Sequence, residues 1–176
     1  MPEARTHAYD PPFRVGVGWD LHRLELLPPA GAGRPLVIGG ILIQHDLGPV
    51  GHSDGDALLH ALTDALLGAI GGQDIGEVFP DTDPRWAGAD SAAFVVEALR
   101  RVHDAGWHVV NADAVIVLER PKLAPHKQAV RANLAHLLDL PIDRVNVKGK
   151  THERIGPVGE GLAIEAQAVV LIARVE

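Results

Sequence analysis

Cysteine is missing from this chain of 176 residues, and Phe, Trp and Tyr together account for only seven of them. Without cysteine there are no disulfides, no thiolate metal ligands and no cysteine nucleophile. Long apolar runs are missing too, since nothing approaches the roughly 18 residues of a membrane-crossing helix. Residues 1–12 are polar and interrupted by Pro2, Pro11 and Pro12, without the apolar centre of a signal peptide. Basic residues are in deficit, 16 Lys and Arg against 23 Asp and Glu, for a net charge of −7. That balance disfavours a general nucleic-acid surface but leaves room for a small anionic substrate held by local donors and a metal. A cytoplasmic protein with neither a membrane nor a nucleic-acid partner is the expectation.

Leu, Val, Ile and Ala dominate what is present. A chain of this length buries roughly 70% of its extended surface, enough for one domain without staples. The expected division is a flexible tail over 1–12 and a single domain over 13–176. Residues 13–17 alternate as a strand, and 36–43 read as strand, turn at Gly39-Gly40, and strand. From Asp56 onward Leu58, Leu59, Leu62, Ala65, Leu66 and Ala69 form a helical stripe that Gly68, Gly71 and Gly72 end. A long aspartate-rich loop over 72–89 follows. Ser91 is the expected N-cap of a second helix burying Val95, Val96, Leu99 and Val102, with Gly106 as its stop. A strand over 107–118, a helix over 126–138 and strands over 145–148 and 162–175 complete the pattern. The fold class is α+β, a mixed sheet with helices packed on one face. The other face must be unusually polar or be covered by partner subunits, and the apolar run over 163–173 favours partners.

Asp20 and His22 stand two apart, so they face the same way if the first strand continues beyond Val17. His60 approaches from the first helix, and a carboxylate with two imidazoles suits zinc with one coordination position open. Asp56 and Asp64, four residues either side of His60, are candidates to orient its second ring nitrogen. The plainer reading is that Asp20 caps a turn and His60 is a satisfied histidine on a helix flank. His52 and Ser53 lie in a glycine-bounded turn able to hold an anion, though Ser53 serves equally as an N-cap. Asp74, Gly76 and Asp81 fall in the acidic loop, as hydroxyl ligands or turn caps. Pro121 and Pro125 stiffen the segment holding Lys122, Leu123 and Ala124, which also leads into a helix.

These residues sit within a longer series: GWDLH at 18–22, IGG at 38–40, HSDGD at 52–56, LHALTDALLG at 59–68, DIG at 74–76, FPDTDP at 79–84 and GADS at 88–91. Later come Pro121-Lys122, Pro125-His126, VNVK at 145–148, Thr151, Glu153 and GEG at 159–161. In this order, over 14–174, they closely resemble the 2-C-methyl-D-erythritol 2,4-cyclodiphosphate synthase family of non-mevalonate isoprenoid biosynthesis.

The resemblance implies a lyase that converts 4-diphosphocytidyl-2-C-methyl-D-erythritol 2-phosphate to the 2,4-cyclodiphosphate and CMP. It implies Zn2+ at Asp20, His22 and His60, and Mg2+ or Mn2+ at Glu153 bridging substrate phosphates. His52 and Thr151 take catalytic roles, with Thr151 holding the diphosphate. His52 and Ser53 contact the methylerythritol phosphate, Asp74 and Gly76 the ribose, and Asp81 the erythritol diol. Lys122, Leu123 and Ala124 surround the cytosine. It further implies a homotrimer whose sheets assemble around the axis, with active sites between subunits. One departure stands out: Pro157-Val158 is shorter and uncharged where relatives often carry an aromatic and an arginine lining a central cavity, although Glu165 matches a cavity acid. Two other functions fit the residues: a metal-dependent phosphohydrolase that activates water at the same triad, and a non-catalytic cytidine-nucleotide module.

Overall fold

The structure, a computed structural model, describes residues 11–175. The tail expected over 1–12 therefore lies, for residues 1–10, outside the described residues. Five strands form one sheet in the order β4-β1-β7-β5-β6: β1 (Phe13–Leu26), β4 (Leu47–Pro49), β5 (Trp107–Val117), β6 (Val145–Lys150) and β7 (Ala163–Arg174). Two short strands, β2 (Val37–Ile38) and β3 (Ile41–Leu42), pair as a separate hairpin. Within the sheet β5 and β6 run parallel and the other neighbours antiparallel. A parallel pair needs a crossover connection, and the helix α4 (Lys127–Leu137) supplies it. With α1 (Ala57–Ala69) and α3 (Ala92–Asp104) it covers one face of the sheet, which makes a mixed α+β fold with the helices on one side. No helix among the described residues is long and apolar enough to cross a membrane.

The first strand is longer than its opening alternation requires. It runs on to Leu26, so Asp20 and His22 share the helix-facing side with Gly16, Gly18 and Leu24. The glycines set how near α1 lies. A Cβ on Gly16 would stand 1.8 Å from the Ala65 carbonyl oxygen, and one on Gly18 would stand 1.9 Å from that of Ala61. Ala166 and Ala168 on β7 and Ala112 and Ala114 on β5 continue this small-residue floor, all buried. The opposite face carries Val15, Val17, Trp19, Leu21 and Val169, all exposed in the single chain. The β1 side of this face is apolar, while Asp113, Asn146 and Lys148 form a polar cluster on the β5–β6 side.

Asp56 is the N-cap of α1, accepting from the N–H groups of Leu58 and Leu59 at 3.1 Å each. It also accepts from Gly39 N at 3.0 Å and Gly40 N at 2.7 Å, joining the β2–β3 turn to the helix start. Burial pushes its carboxyl up to about 6, against the pull of the Gly40, Gly39 and Leu59 donors. Ser91 occupies the N-cap position of α3 as expected, without a side-chain cap bond, whereas Ser53, for which a cap was one of two readings, does not cap α1. Asp56 caps α1 in place of Ser53. At α3 it is Asp90 that accepts from Ala92 N at 2.8 Å, while Ser91 makes no side-chain cap bond. Val96 is likewise exposed at 54%, and Phe94 and Ala98 bury beside Val95, Leu99 and Val102 instead. The long loop contains a helical turn, α2 (Ile75–Val78), and a second short turn, α5 (Gly156–Gly159), holds the shortened Pro157-Val158 stretch. Val158 is buried there against Val117 and Ala163.

Gly18→Ala is expected to destabilise the fold, because the new methyl meets helix backbone that has no rotamer to move away. Overpacking of this kind costs about 1–3 kcal/mol. Urea unfolding should show a lower midpoint than wild type at an unchanged slope.

Candidate active site

Strand register and helix position bring His22 and Asp20 to His60 across 38 and 40 residues of chain. Asp20 Oδ2 stands 3.0 Å from His22 Nε2 and 2.9 Å from His60 Nδ1, and the two ring nitrogens are 3.0 Å apart. All three side chains are half-buried. Burial pushes the Asp20 carboxyl up, but hydrogen bonds to His22 and His60, and their charge, outweigh it and hold it well below the usual carboxylate range. Three converging donors of an O/N/N set fit a divalent metal, since tetrahedral zinc with bonds of about 2.0–2.1 Å places its ligands on the order of 3.3 Å apart. Asp20, His22 and His60 therefore form a divalent-metal site of the kind zinc fills, with a side left open for a substrate oxygen.

The second nitrogen of His60 finds partners that the sequence did not suggest. Its Nε2 lies 3.1 Å from Ser53 Oγ and 2.9 Å from Ser91 Oγ. Asp56 is committed to backbone caps, and Asp64 accepts from Ile75 N at 2.7 Å, so neither orients the imidazole. The i±4 spacing placed them on the right helix but not with the right aim. Asp64 instead ties α2 to α1, which sets Ile75 and Gly76 in the wall of the cleft that His22 and His60 also line.

A cleft of about 370 Å³ opens beside the triad. His52, Ser53, Gly76 and Asp81 line it with His22 and His60, and Phe79, Trp86 and Phe94 form an apolar wall. The Phe79 and Phe94 rings stack at 4.5 Å, and Trp86 meets both edge-on. Sequence reading passed over this wall, though the concentration of three scarce aromatics within residues 79–94 was a usable signal. Asp74 is exposed and caps α2, accepting from Glu77 N at 2.9 Å, and it is not among the residues lining this cleft. The 52–54 turn is braced from outside: Arg34 Nε donates to Gly51 O at 3.1 Å, and Gly88 N to His52 O at 2.8 Å. Nothing in the local sequence marked Arg34.

A second cleft, of about 440 Å³, collects Lys122, Leu123, Ala124, Thr151 and Glu153 with Lys127 and Lys150. The strand β6 ends at Lys150, so alternation does not govern Thr151 and Glu153. They meet through a 2.8 Å hydrogen bond from Thr151 Oγ1 to Glu153 Oε1. Glu153 has φ +50° and Arg154 +65°, a left-handed turn unusual without glycine and of a kind that clusters at functional sites. The two clefts share no lining residue, and their strands, β1 and β6, lie apart in the sheet order.

The chain matches the YgbB family model over residues 13–173. It is 50% identical over 163 residues to the chloroplastic 2-C-methyl-D-erythritol 2,4-cyclodiphosphate synthase of Arabidopsis thaliana, which covers 93% of this chain and 68% of that protein. It is 54% identical over 162 residues to the corresponding synthase of Burkholderia mallei, covering 92% and 96%. Among solved structures, a CDP-bound 2C-methyl-D-erythritol-2,4-cyclodiphosphate synthase superposes with a TM-score of 0.81 at 47% identity, covering 90% of this chain and 99% of that one.

His60→Ala is expected to lower bound zinc well below one ion per chain while leaving the helical content intact, since it removes a ligand and a ring contact with Phe94 but none of the buried leucines and alanines that hold α1. Metal analysis of the folded variant beside its circular dichroism spectrum checks this; full zinc content would remove His60 from the ligand set.

Proposed function

The chain belongs to the YgbB family, and on that premise we propose that it closes 4-diphosphocytidyl-2-C-methyl-D-erythritol 2-phosphate into 2-C-methyl-D-erythritol 2,4-cyclodiphosphate with release of CMP. The observation that carries this reading is the Asp20–His22–His60 site opening onto the cleft that also holds His52 and Ser53. The 2-phosphate oxygen forms a bond to the β-phosphorus, and the bond from that phosphorus to the bridging oxygen breaks. CMP leaves with the electron pair. No protein nucleophile or histidine base is needed, so positioning and charge neutralisation dominate the catalytic requirement.

Asp20, His22 and His60 would hold Zn2+, which would supply Lewis-acid polarisation of a phosphate, and Glu153 would hold Mg2+ or Mn2+, which would offset phosphate charge. His52 and Ser53 hold the methylerythritol phosphate, and Asp81 the diol, from positions lining the first cleft. Asp74 and the Gly76 backbone meet the ribose from its edge. Thr151 steadies the diphosphate while Lys122, Leu123 and Ala124 surround the cytosine, a reading supported by their common lining of the second cleft. His52 and Thr151 act on the reacting phosphates.

The two clefts are separate within one chain, and the β1 side of the open sheet face is apolar. Both features support a homotrimer in which the first cleft of one subunit faces the second cleft of its neighbour, with sheets around the axis. A cytoplasmic location belongs to the same proposal. Glu165 accepts from Trp19 Nε1 at 2.8 Å and Gln167 Nε2 at 3.1 Å and lies 3.9 Å from His152 Nε2, and the Pro157-Val158 turn carries no arginine to meet an isoprenoid diphosphate there.

Incubating the metal-loaded protein with the CDP-methylerythritol phosphate should yield cyclic diphosphate and CMP in equal amounts. Linear hydrolysis products would instead identify a phosphohydrolase, and metal-independent binding without turnover a nucleotide module. A shared site also makes a stoichiometric demand. His60→Ala and Thr151→Ala should each be nearly inactive alone, yet subunits mixed and reassembled at random should recover about a quarter of wild-type turnover, because one neighbour pairing in four unites two intact halves. No recovery would place both halves in one chain.

A further inference from the structure

We infer that Ser91 is a positioning residue that holds His60 in its metal-binding tautomer, through a hydrogen-bonded line from Asp54 to Ser91 to His60; this rests on the zinc reading of the triad. Ser91 is fully buried at the start of α3, where a serine ordinarily caps, yet its hydroxyl makes no cap bond. It contacts Asp54 Oδ1 closely instead, and its backbone N–H donates to Asp54 Oδ2 at 3.1 Å. Asp54 is held in turn by Asp56 N at 3.2 Å. These contacts reach across 37 residues to Asp54 and 31 to His60, so they are a product of the fold and not of local turn chemistry.

The proton count decides the direction. A serine hydroxyl has one proton and two lone pairs, and a carboxylate only accepts. Ser91 therefore donates its proton to Asp54 and offers His60 Nε2, 2.9 Å away, a lone pair. His60 Nε2 must supply the proton of that bond, which leaves Nδ1 with a free lone pair facing Asp20 and His22. The competing tautomer has an attraction of its own: Nδ1–H would donate to Asp20 Oδ2 at 2.9 Å and close the metal site with a proton. Ser53 cannot prevent this by itself. Its oxygen accepts from Gly55 N at 3.1 Å, but its own proton is free to turn toward Nε2. Ser91, its proton committed to Asp54, is the neighbour that excludes the unproductive form.

Two measurements on the full chain test this. In zinc-free wild type labelled with 15N-histidine, long-range proton–nitrogen spectra should show His60 as the Nε2–H tautomer, and Ser91→Ala should shift it toward Nδ1–H. Competition with a chelator of known affinity should show zinc bound at least ~10-fold more weakly by Ser91→Ala, the range seen when a partner behind a metal ligand is lost. An Nδ1–H tautomer in wild type overturns the inference even if the variant fails to fold. Unchanged zinc affinity in Ser91→Ala, or a loss of thermal stability with the tautomer unmoved, overturns it as well and leaves the metal site standing. A wild-type protein that takes up no zinc overturns the metal reading, and the inference with it.

Discussion

The close approach of α1 to β1 is the constraint on which the site depends. Gly16 and Gly18 present bare backbone to the carbonyls of Ala65 and Ala61, at a separation that leaves no room for a Cβ. His60 is the helix neighbour of Ala61, and Asp20 and His22 follow Gly18 on the same face of the strand. A helix raised by one methyl would carry the His60 ring away from both. The small residues under α1 thus bring three donors to within hydrogen-bond distance of one another, and dense packing holds them there.

Asp56 secures the other coordinate. A fully buried carboxylate is costly unless its lone pairs are filled, and four backbone N–H groups fill these. Two belong to the first turn of α1 and two to the β2–β3 turn, where Gly39 and Gly40 adopt φ +59° and +75°. Asn133 Nδ2 donates to Gly39 O at 2.8 Å and extends the tie to α4. The start of α1, one turn before His60, is fixed by polar bonds just as its body is fixed by packing. The 52–54 turn is held between this anchor, Arg34 and the 88–91 segment, which explains how an irregular stretch can present His52 and Ser53 without being part of any helix or strand.

The single chain leaves two things unfinished, and they point the same way. Its helix-covered face is densely buried while the reverse face exposes Val15, Val17 and Trp19. Its chemistry is divided between a metal-bearing cleft and a lysine-rimmed cleft with no residue in common. The apolar part of the sheet face calls for cover, and under the proposed site assignments a substrate joining a sugar phosphate to a nucleotide would need both clefts at once. The proposed cyclic self-association would answer both needs with one interface.

Much of this was legible in the residues. The ordered motifs from GWDLH to GEG specified the family, because so many short patterns in fixed sequence leave little freedom for chance. The period of two in β1 and the helical stripe of α1 placed Asp20, His22 and His60 on elements able to converge, since local periodicity follows directly from backbone geometry. The contacts that complete the site depended on tertiary structure. Ser91 reaches His60 over 31 residues of chain and Asp54 over 37, Asp56 turns inward to backbone donors, and Asp64 serves α2 rather than the imidazole. Val96 has the apolarity of a core residue but points to water, because the arc of α3 that faces the core is set by its neighbours and not by its own composition. Spacing along a chain says which side chains share a face; which of them meet is decided when separate elements pack, and that information is carried by no single stretch of sequence.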